Sequence, residues 1–548
     1  MKVIIVGGVA GGAGFAARLR RISENSEIII FDKTNYISYA TCGLPYYLGD
    51  VIKEPANLTL QSAKSFKSRF NIDVKTNHEV TKIDSNKKIV YVTNLKTNEQ
   101  FVESYDKLVL TPGAKPILLP FYKKSDKMFF VRTVEEAFRL KEKLSQNIKS
   151  AVIVGGGYIG CELAENLVNL GIKVSIIDKN KQILSNLDYD MVSFIQNKAN
   201  DKGIDLYLGK TVQSVVEQEN NLCINLDNQE IIKSDILISA IGVSPDTDFV
   251  KSANIELGPK NSIIVNEYMQ TSNQDIYALG DAVMIKNHVT SNHSFISLAG
   301  PASKQARIAA NHICNIEDRY LGSNPTSILK FFDLDVATTG INEVECKKLN
   351  LDYEKVILSP SSHANYYPNS KPLTLKVIYE KTSLRLLGAQ IIGYDGVDKR
   401  IDVLATAIKY HALATSLKDL DLSYSPPYSS SKDPVNLAGS IIDNIEKGIV
   451  KQFYYEDLEK LHDVTLLDTR TLKEVSYGMA KGFIHIPLDE LRNRLNELDK
   501  NKKVYVMCQS GLRSYLATRI LSQNGFDAYN FSGGYLLYST IERNKHQF

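Results

Sequence analysis

The sequence lacks a long apolar run, closely spaced cysteine pairs and a strong charge of either sign. No segment of the 548-residue chain is apolar over the length needed to cross a bilayer, so we expect no membrane span. The net charge of +3 is spread along the sequence, which argues against a dedicated nucleic-acid surface. The first predicted strand begins at residue 2 or 3 and leaves no room for a signal peptide, so we expect a cytoplasmic protein.

The six cysteines are too few for a disulfide framework over this length, and none forms a C-x-x-C pair. No cysteine clusters with histidine at the spacing of metal ligands, so we expect no metal site. Four cysteines are expected only to pack. Cys161 lies within a predicted helix, and Cys223, Cys314 and Cys346 lack a tight turn before a helix. Cys42 and Cys508 differ, because each is expected at a turn that leads into a helix.

Two glycine-rich stretches predict two sites for the pyrophosphate of a nucleotide. Gly7–Gly12 follows the apolar run Val3–Val6, and Gly155–Gly160 follows Val152–Val154. Each pattern is typical of a strand, a tight turn and a helix N-terminus, where backbone amides and the helix dipole can meet an anion without side chains in the way. The second stretch is the complete pattern, whereas the first has Val9 in place of the middle glycine.

Each glycine-rich stretch is followed by a second apolar run that ends in an acid, Asp32 in the first case and Asp178 in the second. A carboxylate there can accept hydrogen bonds from ribose hydroxyls. A later strand ends at Gly280 and puts the carboxylate of Asp281 at a predicted helix start, where a ribityl hydroxyl or a phosphate-linked water can bind. The residues expected to bind the two nucleotide cofactors are Gly7, Gly8, Ala10, Gly11, Gly12, Asp32, Lys33, Gly113, Gly155, Gly157, Tyr158, Ile159, Gly160, Asp178, Gly242, Gly280 and Asp281.

The order of these motifs predicts an α/β chain of three or four domains, with one nucleotide-binding domain inserted into another. The predicted boundaries are 1–112 and 240–325 for the first nucleotide domain, 113–239 for the second, 326–445 for a mixed α/β domain and 446–548 for a small α/β domain. In the last two domains we expect strands at 376–379, 386–392, 464–467 and 504–507 and helices at 403–413 and 514–521.

Cys42 is the only cysteine of its region and precedes a predicted helix start. The helix dipole and free amide donors at that place favour a thiolate. A flavin reductase with a C-x-x-x-x-C pair would need a second cysteine at position 47, which is Tyr47. The sulfur of Cys42 is therefore expected to pair with a sulfur of the substrate in a mixed disulfide, or to be oxidised to a sulfenate.

Cys508 follows the apolar run Val504–Met507 in a short turn that opens into a helix. Successive backbone amides of such a turn can point at the sulfur, and Arg513 adds positive charge, so we expect a stabilised thiolate or persulfide anion. The alternatives are an inert domain and a phosphatase-like loop, but a phosphatase-like loop would be longer and would need an acid.

Residues 1 to about 445 resemble the single-cysteine pyridine nucleotide-disulfide oxidoreductases, in particular the coenzyme A disulfide reductases, through the glycine-rich stretches and the lone Cys42. Residues from about 450 to 548 resemble a rhodanese domain through Leu466–Arg470, Gly482–Pro487, the Cys508 turn and Ser532–Tyr535. The fusion is similar to NADH-dependent persulfide or polysulfide reductases. The resemblance implies two interleaved Rossmann-like nucleotide-binding domains, an α+β dimerisation domain and a C-terminal α/β rhodanese domain.

The same resemblance implies FAD, NADH or NADPH, and coenzyme A as ligands of a homodimer. Cys42 is then the redox nucleophile, and two tyrosines of the partner subunit reach it. Tyr366 and Tyr424 match these tyrosines, with Tyr367 as an alternative to the first. The residues that the resemblance places near coenzyme A are Arg18, Arg21, Ser38 and Thr41.

Three positions depart from the patterns of related proteins. Thr41 stands where the family often has Asn before the cysteine, and Met479 stands where rhodanese domains often have His. Ala10 stands where NADH peroxidases have His, so the base of a peroxidase is absent.

These residues together predict an FAD-dependent enzyme that reduces coenzyme A disulfide, coenzyme A persulfide or polysulfide, while Cys508 delivers or accepts sulfane sulfur. Asp178 favours NADH because a carboxylate repels a 2′-phosphate, whereas Lys179 and Lys181 soften that preference. Two alternatives stay open: an NADH oxidase that cycles Cys42 through a sulfenate, and a sulfurtransferase whose flavin half is regulatory.

Overall fold

The computed structural model describes residues 1–123 and 125–547. The described chain forms two compact units, one of residues 1–181 with 203–323, and one of residues 182–202 with the chain from residue 324 on. Among the helices described, none combines the length and the apolar character that a membrane crossing requires.

The first part of unit one contains a parallel sheet with helices against it and two smaller antiparallel sheets. Its elements are β1 Lys2–Val6, α1 Ala10–Ile22, β2 Glu27–Asp32, β3 Ile37–Tyr39, α2 Leu44–Leu48, β4 Thr59–Gln61, α3 Ala63–Phe70, β5 Asp73–Thr76, β6 His78–Asp84, β7 Ile89–Asn94, β8 Gln100–Ser104 and β9 Lys107–Leu110. Strands β3 and β4 form a two-stranded antiparallel sheet, and β6, β7 and β8 form a three-stranded antiparallel sheet. The apolar run of β1 pairs in parallel with β2 on one side and β9 on the other. Its residues Val3–Val6 are buried, as expected for a strand that is covered on both faces.

The next part of the chain contains a second parallel sheet. The elements are β10 Ala114–Pro116, β11 Met128–Phe129, α4 Val134–Leu144, β12 Ser150–Val154, α5 Tyr158–Asn169, β13 Lys173–Asp178, α6 Tyr189–Asp201, β14 Asp205–Leu208, β15 Val212–Glu217, β16 Leu222–Leu226, β17 Ile231–Ser234, β18 Ile236–Ser239 and β19 Val243–Pro245. The parallel sheet has the order β11-β18-β12-β13-β14, and β15, β16 and β17 form a separate antiparallel sheet. Helix α6 belongs to unit two.

The chain then returns to the first sheet. The elements that follow are β20 Ile276–Ala278, β21 Ile285–Lys286, β22 His293–Ser294 and α7 Ala299–Ile313. Strand β20 pairs with β9, so the first sheet has the order β20-β9-β1-β2-β5, and α7 packs on α1. The predicted interleaving of two nucleotide folds is therefore confirmed, because a strand from beyond the second sheet completes the first.

Unit two contains an antiparallel sheet flanked by helices. Its elements are β23 Ser327–Phe331, β24 Leu334–Gly340, α8 Glu343–Lys348, β25 Tyr353–Leu358, β26 Leu373–Glu380, β27 Leu386–Gly393, α9 Val397–Lys409 and α10 Pro434–Glu446. The strand order is β23-β24-β27-β26-β25. The predicted strands at 376–379 and 386–392 lie inside β26 and β27, while the helix expected at 403–413 begins and ends earlier, as α9.

The C-terminal part of unit two is a small parallel sheet with helices. Its elements are β28 Lys451–Phe453, β29 Thr465–Asp468, α11 Leu472–Val475, β30 Ile484–His485, α12 Leu488–Leu491, β31 Val504–Met507, α13 Leu512–Gln523, β32 Ala528–Phe531 and α14 Gly534–Lys545. The strand order is β28-β32-β31-β29-β30, with all neighbours parallel. Cys508 follows β31 directly, at the carboxyl end of the central strand.

Candidate active sites at Cys42 and Cys508

The first glycine-rich stretch is a tight turn between β1 and α1. Gly7 has a φ of +97°, and a Cβ atom there would lie 2.2 Å from the carbonyl oxygen of Thr111. A Cβ on Gly12 would lie 1.9 Å from the carbonyl oxygen of Gly7. Only glycine fits at both positions, and the turn holds the N-terminus of α1 against the strand ends, where an anion can reach its amides.

The second stretch repeats this geometry between β12 and α5. Gly155 has a φ of +107°, and a Cβ on Gly160 would lie 2.0 Å from the carbonyl oxygen of Gly155. A Cβ on Gly157 would meet nothing within 4 Å. The backbone beside Gly157 is therefore open on the side from which a pyrophosphate can approach.

The two predicted acids hold their loops in the same way. A carboxylate oxygen of Asp32 accepts a hydrogen bond from the Gly8 amide at 2.7 Å, and the other accepts one from the Thr34 amide at 2.8 Å. Asp178 accepts from the Gly156 amide at 2.7 Å and from the Asn180 amide at 2.8 Å. Each acid thus lies at the carboxyl end of its strand beside its glycine turn, as a ribose-binding carboxylate must. Burial raises the pKa of Asp32, against the hydrogen bonds that lower it.

Asp281 lies in a short 3₁₀ helix, Gly280–Ala282, at the place where the sequence predicted a helix start. Its carboxylate pairs with the guanidinium of Arg132 at 2.5 Å. The same guanidinium lies 3.8 Å from where a Cβ of Gly113 would be, so Gly113, Arg132 and Asp281 meet at one place. Sequence reasoning missed Arg132, because nothing in its own segment indicates a partner 149 residues away.

The remaining predicted cofactor residues flank these turns. Ala10 begins α1, and Tyr158 and Ile159 begin α5. Gly242 has a φ of +103° and lies next to β19. Lys33 follows Asp32 and forms an ion pair with Asp246 at 2.5 Å.

These features fit two dinucleotides such as FAD and NADH. Each cradle has glycines at which a Cβ atom would clash, a helix N-terminus without a side-chain cap and a carboxylate bound to the loop. Gly280 adds open backbone beside Asp281, because a Cβ there would meet nothing within 4 Å.

Cys42 lies on a 3₁₀ turn, Thr41–Gly43, immediately before α2. The sequence predicted this place, but the surroundings taken together raise the pKa of the thiol. Burial, Glu162 and Asp281 raise that pKa, and Arg132 lowers it. Because α2 has only five residues, its dipole is weak, and the thiolate at Cys42 stays a prediction.

The predicted coenzyme A residues lie on the first nucleotide fold. The backbone amide of Ser38 donates to the carbonyl oxygen of Gly8 at 2.8 Å, which ties the Cys42 segment to the first glycine turn. Thr41 is the first residue of the 3₁₀ turn that carries the thiol. The guanidinium of Arg18 donates twice to Asn311 on α7, at 3.0 and 2.8 Å, whereas Arg21 is exposed.

The candidate tyrosines lie together in unit two. The hydroxyl oxygens of Tyr366 and Tyr424 are 2.8 Å apart, and the two side chains are 75% and 48% exposed. Tyr367 instead packs edge-on against His363, with 5.7 Å between the ring centres. Of the two alternatives at this position, Tyr366 is the one that pairs with Tyr424.

The Cys508 turn forms a cradle around its own sulfur. The Gly511 amide donates to Sγ at 3.1 Å and the Ser514 hydroxyl at 3.2 Å, while Cys508 is 1% exposed. Gly511 has a φ of +102°, which lets its amide turn inward. Sequence reasoning identified the amides but not Ser514.

Arg513 forms a two-pronged ion pair with Glu474, with distances of 2.6 and 2.5 Å. This pairing lowers the pKa of Glu474 to about 2. The guanidinium of Arg513 is therefore paired with Glu474, and its contribution to an anion at the sulfur stays a prediction.

One group of acids in the described chain comes close enough together to hold a metal ion, Asp188, Asp190 and Glu343. The ammonium group of Lys376, which is fully buried, lies 2.9, 2.8 and 2.5 Å from their carboxylates. The positive charge that these acids need is thus supplied by a lysine.

Comparisons with known proteins agree with this architecture. Residues 1–306 match the model of the pyridine nucleotide-disulphide oxidoreductases, residues 326–434 that family's dimerisation domain, and residues 452–540 the rhodanese-like domain. A coenzyme A disulfide reductase of Staphylococcus aureus is 36% identical over 443 residues, which cover 80% of this chain and 99% of the relative.

Two solved structures are similar over nearly the whole chain. Reduced CoADR-RHD of Bacillus anthracis has a TM-score of 0.96 and 42% identity, and the match covers 99% of this chain and 98% of that one. An NAD-dependent persulfide reductase from A. fulgidus has a TM-score of 0.93 and 34% identity, with 98% and 100% covered. Together with the twin glycine cradles and their acids, these matches show that the chain belongs to the pyridine nucleotide-disulphide oxidoreductase family and carries a C-terminal rhodanese domain.

Proposed function

We propose that this chain is a cytoplasmic, homodimeric, FAD-dependent reductase that uses NADH to reduce coenzyme A disulfide, coenzyme A persulfide or polysulfide through Cys42. The observation that carries the proposal is the setting of this thiol. Of the six cysteines, all within the described chain, only Cys42 is exposed, and Ser38, four residues before it, is hydrogen-bonded to Gly8 of the first dinucleotide cradle.

Different residues of the chain bind the cofactors and react with the substrate. The two glycine turns bind the pyrophosphates through backbone amides, and Asp32 and Asp178 hold these turns in shape. Bound FAD supplies the relay that carries two electrons from NADH to sulfur. The Cys42 thiolate attacks the disulfide of the substrate, which releases one thiol and leaves a mixed disulfide. Two electrons then cleave that mixed disulfide to the Cys42 thiolate and a second thiol.

Tyr366 and Tyr424, contributed by the partner subunit, are proposed to protonate the departing thiolate. A phenol is a suitable donor because its proton is available when a thiolate approaches, and the pair is exposed. The hydrogen bond between the two hydroxyls orients both groups.

Cys508 is proposed to handle sulfane sulfur. Two hydrogen-bond donors at the sulfur, the Gly511 amide and the Ser514 hydroxyl, stabilise a thiolate or a persulfide anion. A coenzyme A persulfide formed from such a group would be a substrate for Cys42.

For the nucleotide, we propose a preference for NADH. Asp178 is fixed beside the second glycine turn, where its charge repels a 2′-phosphate. Lys179 and Lys181 follow Asp178 closely in sequence and are exposed. Their positive charges weaken the preference for NADH without reversing it.

The test is anaerobic NADH oxidation with coenzyme A disulfide, coenzyme A persulfide and polysulfide compared side by side. We expect at least one of these acceptors to be reduced faster than oxygen is in air. If air alone supports the highest rate and no thiol forms, the protein is an NADH oxidase. If Cys508→Ser abolishes turnover and Cys42→Ser does not, the protein is a sulfurtransferase.

A further inference from the structure

The phenols of Tyr366 and Tyr424 meet although 58 positions separate them in the chain. Tyr366 lies in the first segment, residues 359–372 between β25 and β26, and Tyr424 lies in the second segment, residues 420–433 before α10. Both side chains are exposed, so packing around the rings contributes little to holding the hydroxyl oxygens 2.8 Å apart. The distance between the phenols must therefore depend on contacts that other residues of the two segments make.

Arg400 on α9 contacts both segments. Its side chain is buried, and Nη2 donates to the carbonyl oxygen of Ser362 in the first segment at 2.8 Å. In the second segment, Nη2 donates to the hydroxyl of Ser429 at 3.3 Å, and Nε donates to the two carboxylate oxygens of Asp433 at 3.3 and 3.2 Å. One guanidinium group thus bridges the two segments.

Asp433 fixes the end of the second segment. It is buried, and its carboxylate forms an ion pair with Arg400 at 3.0 Å. The same carboxylate accepts hydrogen bonds from the Ser429 hydroxyl at 2.7 Å and from the Val435 amide at 3.0 Å, as the N-cap of α10. The carbonyl oxygen of Ser429 in turn accepts from the amide of Ala364, two residues before the tyrosine of the first segment, at 3.1 Å. The segments are therefore joined both through Arg400 and directly.

This network is better suited to fixing a geometry than to adding stability. A buried ion pair adds little net stability, because the loss of hydration offsets the attraction between the charges. The planar guanidinium of arginine, by contrast, has donors in fixed directions. Arg400 uses these directions for Gly396 on the turn before α9, for the first segment and for the second.

We propose that Arg400 and Asp433 are positioning residues, which hold the two segments at the separation at which Tyr366 and Tyr424 share a hydrogen bond. The inference rests on the proposed role of these phenols as proton donors. No bond forms or breaks at Arg400 or Asp433 during the reaction. Loss of the bridge displaces the hydroxyl groups, so that protonation of the departing thiolate becomes slower while NADH binds as before.

The experiment measures kcat and KM of the full-length holoenzyme with NADH and coenzyme A disulfide, per bound flavin, for Asp433→Asn in two backgrounds. This substitution keeps the shape of the side chain and removes its charge. A displacement of about 1 Å can slow a reaction about 10²-fold, so in the wild-type background we expect kcat to fall roughly tenfold, with little change in KM for NADH. In the Tyr366→Phe/Tyr424→Phe background the same substitution should lower kcat less than about twofold, because the groups that it positions are already absent.

Asp402→Asn is the matched control, because it makes the same substitution at an exposed residue of α9 and should leave kcat near wild type. If Asp433→Asn does not fold, Ser429→Ala replaces it in the test. Ser429→Ala removes one hydroxyl from the network and keeps both charges. It should lower kcat about three- to tenfold in the wild-type background only.

Equal fold-losses of kcat in the two backgrounds would overturn the proposal, since a general loss of structure slows both alike. An unchanged kcat in Asp433→Asn would overturn it too, as would a loss in Asp433→Asn when Tyr366→Phe/Tyr424→Phe alone has none. A failure of the reductase proposal is distinct, because it appears in the wild type as an absence of acceptor-dependent NADH oxidation.

Discussion

Replacing Ser514 by alanine tests the cradle around Cys508. The hydroxyl of Ser514 is buried and donates to Sγ at 3.2 Å, beside the Gly511 amide at 3.1 Å. A hydrogen bond to a charged group contributes about 1.5–3 kcal/mol. Ser514→Ala therefore removes one of two such bonds from the anion. Reactions that proceed through the anion should become about 10- to 100-fold slower, at about 1.4 kcal/mol per factor of ten.

The assay is sulfur transfer from thiosulfate to cyanide at pH 7, together with the alkylation rate of the Cys508 peptide. Ser510→Ala is the matched control, since Ser510 lies in the same turn and its hydroxyl makes no hydrogen bond to the sulfur within the described residues. We expect both rates to fall in Ser514→Ala and to stay near wild type in Ser510→Ala. Equal rates in the two variants would refute a stabilised anion in this cradle.

Four further substitutions test other parts of the account. Asp178→Asn weakens the second cradle. We expect KM for NADH to rise about tenfold, which corresponds to a loss of about 1.5 kcal/mol of binding free energy, with kcat little changed. An unchanged KM would contradict a role of Asp178 in binding NADH. Lys376→Met leaves buried carboxylates without their ammonium group and should lower the free energy of unfolding in urea by about 3–5 kcal/mol. The control Lys348→Met, at an exposed lysine, should lower it by less than about 1 kcal/mol. Equal free energies of unfolding for the two variants would show that the cluster is not a stabilising charge network. Tyr366→Phe and Tyr424→Phe should each lower turnover about 10²-fold, because each removes a proton donor. The control Tyr428→Phe, at an exposed tyrosine, should leave turnover unchanged. Equal rates for all three variants would exclude the phenols from the reaction.

The local parts of the fold could be predicted from the sequence because they depend on neighbouring residues. The run Val504–Met507 forms a strand with the predicted bounds, since four buried apolar residues end at a turn. The glycine turns at Gly7 and Gly155 could be predicted for the same reason, as each needs a positive φ between a strand and a helix.

The parts that could not be predicted depend on residues far apart in sequence. The strand expected at 376–379 begins earlier, at Leu373. In the sequence, the charged Lys376 looks like the end of an apolar run, but in the structure it is buried against carboxylates of other elements and lies inside the strand. The guanidinium of Arg513 is paired with Glu474 from α11, and Asp281 is bound by Arg132 from the loop before α4. Which ionic side chains pair is decided by tertiary contacts, and a single sequence gives no signal for them.

The central claim is that the sulfur of Cys42 forms a mixed disulfide with a thiol-bearing substrate and is released by electrons from NADH. The most direct measurement is peptide mass spectrometry of the holoenzyme after exposure to coenzyme A disulfide, before and after NADH is added without oxygen. The account predicts a coenzyme A adduct on the Cys42 peptide that disappears with NADH. An unmodified Cys42 peptide, or an adduct that NADH does not remove, would contradict it.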